Sequence, residues 1–129
     1  MKVHHIGYYV SNIEEAQQEF ISLSYTAEGP CTFDEERRIY VQFLRNGSAL
    51  VELVAPAEGC SLFPKSMRKM GASPYHICYE CENIDKAIKD LQGHNFLLLR
   101  PPSPAPAIAN HHVAFLYSSS VGMIELVET

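Results

Sequence analysis

The chain has 129 residues, a formal charge of −5, and 47% hydrophobic against 19% charged residues. That is the length of one domain, with enough apolar material to bury a core. The acidic balance argues against nucleic acid or a membrane surface as a partner, since both require a basic face. No apolar run approaches the roughly 20 residues of a spanning helix. Met1-Lys2-Val3-His4-His5 runs straight into a patterned segment, so no signal peptide is expected and the cytoplasm is the expected address.

In chain order, Val3 to Val10 is apolar and aromatic enough for a strand. Ser11-Asn12 ends it, and Ser11 with Glu14 has the spacing of a capping box. From Ile13 to Leu23 the residues Ile13, Ala16, Phe20 and Leu23 form one helical stripe. Tyr25 to Glu28 reads as a short strand before a turn at Gly29-Pro30. Arg38 to Arg45 and Ser48 to Val54 read as strands joined at Asn46-Gly47, a hairpin signal, and Pro56 ends the unit.

A linker over 57–72 follows, with a short helix expected around Phe63 to Lys69. The order then repeats. Tyr75 to Cys81 is an expected strand, and Ile84 to Gln92 a helix with Ile84, Ala87, Ile88 and Leu91 on one stripe. Asn95 to Leu99 is a third element, and Pro101 to Pro106 reads as a stiff loop, either a plain connector or a rigid wall or lid beside the cleft. His111 to Tyr117 and Gly122 to Glu128 complete the set as strands.

The parallel between halves extends to residue identities. His5-Ile6-Gly7-Tyr8 returns 71 positions on as His76-Ile77-Cys78-Tyr79, and Asn12-Ile13 as Asn83-Ile84. Val41-Gln42-Phe43-Leu44 is echoed by Val113-Ala114-Phe115-Leu116, and Glu52-Leu53-Val54 by Glu125-Leu126-Val127. The expected class is α+β: two tandem βαβββ modules, 1–56 and 73–129, forming a single domain. Each module leaves one sheet face needing cover, so the two are expected to pair as half-barrels around a metal cleft.

His5 and His76 open the two halves, and Glu52 and Glu125 close them, each inside an apolar run. A carboxylate there is costly unless paired, protonated or bound to metal. Two histidines and two glutamates at repeat-related positions form an N₂O₂ set suited to a divalent first-row ion, with nickel, cobalt, manganese, iron and zinc all open. His4 should face away from His5, and His111-His112 should lie at a surface strand start. Tyr9 and Glu80 share the strand faces of His5 and His76, either lining the cleft or ending the strands in water. Cys78 and Cys81 are three apart in a strand, on opposite faces, so they are not expected to close on one ion. With Cys31 and Cys60 they are read as reduced thiols.

These motifs resemble the vicinal oxygen chelate superfamily, the group of glyoxalase I, methylmalonyl-CoA epimerase, extradiol dioxygenases and bleomycin-resistance proteins. The carriers are His5-Ile6-Gly7, Gly47 through Glu52-Leu53-Val54-Ala55-Pro56, Tyr75-His76-Ile77-Cys78 and Ile124-Glu125-Leu126-Val127-Glu128. The likeness is greatest to the epimerase and glyoxalase branch. It implies that His5, Glu52, His76 and Glu125 are the metal ligands, and that Glu125 is also the catalytic base. It implies an enzyme that chelates a substrate carbonyl and stabilises an enolate during proton transfer, on a small-molecule substrate, in a homodimer. The alternatives are a glyoxalase-like isomerase or lyase acting on a hemithioacetal, and a drug- or metabolite-sequestering protein of the bleomycin-resistance type. In the epimerases a second carboxylate comes from the strand matching Tyr40 to Leu44, where this chain offers only Tyr40 and Gln42, with Glu35 and Glu36 just before. Arg37, Arg38, Arg45 and Arg100 are available for an anionic substrate.

Overall fold

A computed structural model describes residues 1–129. The elements are β1 (Lys2–Tyr9), α1 (Ile13–Ser22), β2 (Thr26–Asp34), β3 (Ile39–Asn46), β4 (Ala49–Pro56), α2 (Lys65–Met70), β5 (Ser73–Cys81), α3 (Ile84–Gln92), β6 (Leu97–Ala105), a 3₁₀ turn at Pro106–Ile108, β7 (His111–Ser118) and β8 (Gly122–Glu128). The order βαβββ occurs twice, and the α+β class follows as expected. No helix is long and apolar enough to cross a membrane.

Two compact units emerge. One is Ile6–Tyr75; the other joins Met1–His5 to His76–Thr129. In the first, the strand order is β2-β3-β4-β1, with β1 parallel to β4 and the remaining neighbours antiparallel. Val10, Leu44, Val51, Leu53 and Ala55 form its core, covered by Ile13, Ala16 and Phe20 of α1. The second repeats this as β5-β8-β7-β6, with β5 parallel to β8. There Ala114, Leu116, Ile124 and Leu126 meet Ile84, Ala87 and Ile88 of α3. Because side chains alternate along a strand, these odd-even patterns assign the opposite sheet face to Gly7, Phe43 and Glu52 in one unit and to Phe115, Glu125 and Val127 in the other.

Several local expectations need correction. Both main helices are capped by asparagine: Asn12 accepts from the Glu15 amide at 2.9 Å and Asn83 from the Lys86 amide at 2.8 Å. Ser11 is therefore outside the helix, and the capping box with Glu14 does not form. An asparagine side chain satisfies an orphan amide of the first turn just as serine would, and it is the residue the repeat matches. Leu23, expected on the buried stripe, is 66% exposed because α1 ends at Ser22 and Leu23 only caps it.

The turn at Gly29-Pro30 is instead an irregularity within one long strand. The β2–β3 register shifts between Glu28 and Thr32, and Gly29 has φ +73°. The proline-rich stretch is likewise strand, not loop. β6 pairs only with β7, with register shifts either side of Arg100. An outer strand can lack amide donors on its open side, which is where prolines are tolerated. The hairpin signal holds, with Asn46 paired to Ala49 and Gly47 at φ +58°. The four cysteines are free thiols, Cys78 buried and Cys81 half-buried.

Leu126 is fully buried and Leu97 is 63% exposed. Leu126→Ala should lower unfolding free energy by about 2–5 kcal/mol, and Leu97→Ala by less than about 0.5 kcal/mol. Urea denaturation followed by circular dichroism measures both.

Candidate metal centre

Three of the four residues singled out by the repeat belong to the unit of Met1–His5 and His76–Thr129, and they converge there. His5 comes from β1, His76 from β5 and Glu125 from β8, all 1–4% exposed. His5 Nε2 lies 3.3 Å from His76 Nε2 and 3.2 Å from Glu125 Oε1, and His76 Nε2 lies 3.6 Å from the same oxygen. The register sets Cys78 and Phe115 either side of Glu125. Cys78, Ala105, Val113 and Val127 pack with Phe115 into an apolar cluster on this face. The Phe115 ring meets His76 edge-on, centroids 5.5 Å apart. A carboxylate and two imidazoles are thus buried together against hydrocarbon.

The donor set fits a divalent ion. Nitrogen and oxygen ligands at about 2.0–2.2 Å from one ion stand roughly 3.0–3.6 Å from each other, matching all three separations. Glu125 Oε1 is fully buried and makes no hydrogen bond of good geometry, despite its two imidazole neighbours. Desolvating such an oxygen costs free energy that a hydrogen bond or a cation must offset.

Burial by itself would raise the Glu125 pKa. The contacts with His5 and then His76 more than reverse this and hold the carboxyl well below the usual carboxylate range. A depressed carboxylate pKa contributes stability above the unfolded pKa and loses it only as pH falls through the folded one.

His4 was expected to face away. Its backbone does alternate with that of His5, but the ring is half-buried and its Nδ1 lies 2.8 Å from His5 Nδ1. When His5 donates in this contact, its Nε2 keeps the lone pair that faces Glu125 and His76. His4, His5 and Cys78 also offer donor atoms within 4.8 Å of one another. Nothing in the sequence marked His4, because alternation tracks the Cβ and not the ring. Phe115 was marked, as half of the Phe43 and Phe115 echo, without its place beside Glu125 being apparent.

Glu52 belongs to the other unit. It is 6% exposed on β4, with Gly7 of β1 and Phe43 of β3 as register neighbours. β3 offers no carboxylate beside Glu52. Val41 and Phe43 are the β3 residues beside Val54 and Glu52. Tyr40 is exposed and stacks on Phe33. Gln42 is buried, its amide donating to the Gly29 and Phe43 carbonyls. Glu35 and Glu36 are exposed in the turn between β2 and β3.

Tyr9 is buried against Phe63, which packs on Tyr75, so it does not end its strand in water. Glu80 is half-buried, and His111 and His112 are exposed at the start of β7. Of the arginines, Arg37 pairs with Asp34, Arg38 lies over Phe33 and donates to the Glu58 carbonyl, and Arg45 forms a two-point contact with Glu28.

The family of the Glyoxalase/Bleomycin resistance protein/Dioxygenase superfamily matches residues 4–115. The chain belongs to that superfamily. Among solved structures it is similar to a hypothetical protein from Bacillus halodurans C-125, with TM-score 0.85, 24% identity, and 99% of this chain and 94% of that chain covered. It is also similar to methylmalonyl-CoA epimerase from Mycobacterium tuberculosis, with TM-score 0.83, 20% identity, and coverage of 98% and 87%. A variant of the Streptomyces coelicolor methylmalonyl-CoA epimerase, in complex with 2-nitronate-propionyl-CoA, gives TM-score 0.79 at 21% identity, covering 100% and 94%. At these identities the likeness establishes the fold. No curated protein matches the sequence.

The metal-free protein should keep Glu125 ionised at a pH where ordinary glutamates are half protonated. The side-chain carboxyl ¹³C shift followed through an acid titration reads this directly. In His5→Ala/His76→Ala, burial acts unopposed and the midpoint should move above the usual carboxylate range.

Proposed function

We propose that the chain is a divalent-metal-dependent enzyme that removes a proton next to a substrate carbonyl and returns it, an epimerase or isomerase of the vicinal oxygen chelate type. The observation that carries this reading is the buried Glu125 oxygen, directed at two imidazole Nε2 atoms within 3.6 Å in apolar surroundings. His5, His76 and Glu125 would hold the ion. Glu52 is the proposed fourth ligand: it is the repeat counterpart of Glu125 and is likewise buried in an apolar strand. When bound, a divalent ion supplies Lewis acidity to a carbonyl oxygen.

The residues supply the rest. Glu125 is the proposed base: the substrate C–H bond breaks, the proton passes to the carboxylate, and the electron pair moves into the enolate. Reprotonation of the enolate, on the opposite face of the same carbon or on the neighbouring carbon, completes the isomerisation and leaves Glu125 as the free carboxylate again. Phe115, Cys78 and Val127 shield the enolate from bulk water, while the proton held by Glu125 exchanges with solvent before it is returned. A small-molecule substrate and a homodimer form part of the same proposal.

A second reading, single-base isomerisation of a hemithioacetal as in glyoxalase, is favoured by the apolar Val41 and Phe43. A two-base epimerisation needs an acid on the opposite substrate face, and β3 provides none beside Glu52.

Elemental analysis of the purified protein should find near-stoichiometric divalent metal, lost in His5→Ala/Glu125→Ala while the circular dichroism spectrum is kept. The wild type in D₂O should introduce deuterium next to the carbonyl of methylmalonyl-CoA or of a hemithioacetal, read by mass spectrometry. Glu125→Gln should slow this by about 10²-fold or more. Absence of metal after soaking with nickel, cobalt, manganese and zinc would leave a sequestering protein as the surviving interpretation.

A further inference from the structure

Each unit carries one row of four residues across its sheet, set by strand register. In Ile6–Tyr75 the row is Glu28, Phe43, Glu52, Gly7. In the other unit it is Arg100, Phe115, Glu125, Cys78. The rows match position for position, and in both a phenylalanine separates an outer charged residue from a buried glutamate. The outer charge differs in its surroundings. Glu28 is clamped by Arg45, with Nε to Oε1 at 2.6 Å and Nη2 to Oε2 at 3.0 Å. Arg100 is exposed, and it is the only one of the five arginines without a polar or ring contact.

Arg100 also sits where the backbone is specially shaped. The β6–β7 register shifts between Leu98 and Arg100 and again between Arg100 and Ser103, and Pro101-Pro102 follows. Irregularities of this kind re-aim a side chain out of the regular ladder, and the prolines stiffen the strand just after it. Two strand spacings, about 10 Å, separate Arg100 from Glu125 in the backbone. An arginine side chain extended over Phe115 covers much of that span. On a chain of net charge −5, an uncommitted guanidinium in line with the buried cluster of His5, His76 and Glu125 is a specific place for an anion.

We infer that Arg100 anchors an anionic group of the substrate, a carboxylate or a phosphate, while the substrate's carbonyl end lies at His5, His76 and Glu125. This rests on the metal-site reading above. The substrate class it defines is a carbonyl compound with a second, anionic end a few bonds away. Arg100 is then a specificity residue: it positions the reacting carbon without touching it.

The test uses the full-length chain loaded with cobalt(II) and two probes of equal length, 2-oxoglutarate and 2-oxovalerate. Both present a vicinal carboxylate and carbonyl, and only the first has a distal carboxylate. Calorimetric titration should show wild type binding 2-oxoglutarate about 10-fold or more tightly than 2-oxovalerate. Arg100→Gln should abolish that preference and leave 2-oxovalerate affinity and melting temperature unchanged, and Arg100→Lys should restore part of it. A preference that survives in Arg100→Gln overturns the anchor while leaving the metal site standing. Cobalt-independent binding, or none of either probe, overturns the metal-site reading and the anchor with it. Competition by coenzyme A, present in wild type and lost in Arg100→Gln, would assign the anchored group as a phosphate; its absence alongside the oxoacid preference would assign a carboxylate.

Discussion

The structure turns on one expensive arrangement, an ionised carboxylate buried with two imidazoles among apolar side chains. Desolvating Glu125 is unfavourable, and only the cationic or hydrogen-bonding character of His5 and His76, or a bound cation, offsets it. The alternation of each strand follows from this demand. β8 must send Ile124 and Leu126 toward α3 and Glu125 and Val127 to the other face, and a one-residue slip would bury a charge against the helix.

The two units solve the same folding problem with the same parts and different success. α3 buries Ile84, Ala87 and Ile88, whereas α1 has no buried residue and covers its sheet with the half-buried Ile13, Ala16 and Phe20. An aromatic chain of Tyr8, Phe20 and Tyr25, with edge-on contacts at 5.1–5.2 Å, replaces aliphatic packing in that first unit. The units thus share a plan with unlike fillings, down to the rows in which Glu28 and Arg100 occupy matching positions with opposite charge.

The buried glutamate, the neighbouring phenylalanine and the outer charged residue define three zones on the Glu125 face: a polar centre, an apolar wall and an ionic rim. That division suits a ligand that is polar at both ends and held rigidly between them. His4 lies behind the centre, its ring against His5, where it affects ring orientation and tautomer.

By itself, the sequence determined the α+β class, the βαβββ order of elements in each half and the helix starting at Ile84, and it singled out His5, His76 and Glu125, which lie together in the fold. All of these rest on periodicity and on repetition at fixed offsets, which are properties of the chain as written. The caps were half legible: the repeat pairs Asn12 with Asn83, while a motif template favoured Ser11. Tertiary structure decided the remainder. Gly29-Pro30 and the Pro101 to Pro106 stretch read locally as breaks, yet each lies wholly or mainly in a strand, because outer strands absorb bulges and missing donors that a central strand would not. The ring of His4 and the placing of Arg100 in line with Glu125 depend on side-chain rotation and on register between distant segments. Neither is encoded in local pattern, so only the folded sheet could bring them to light.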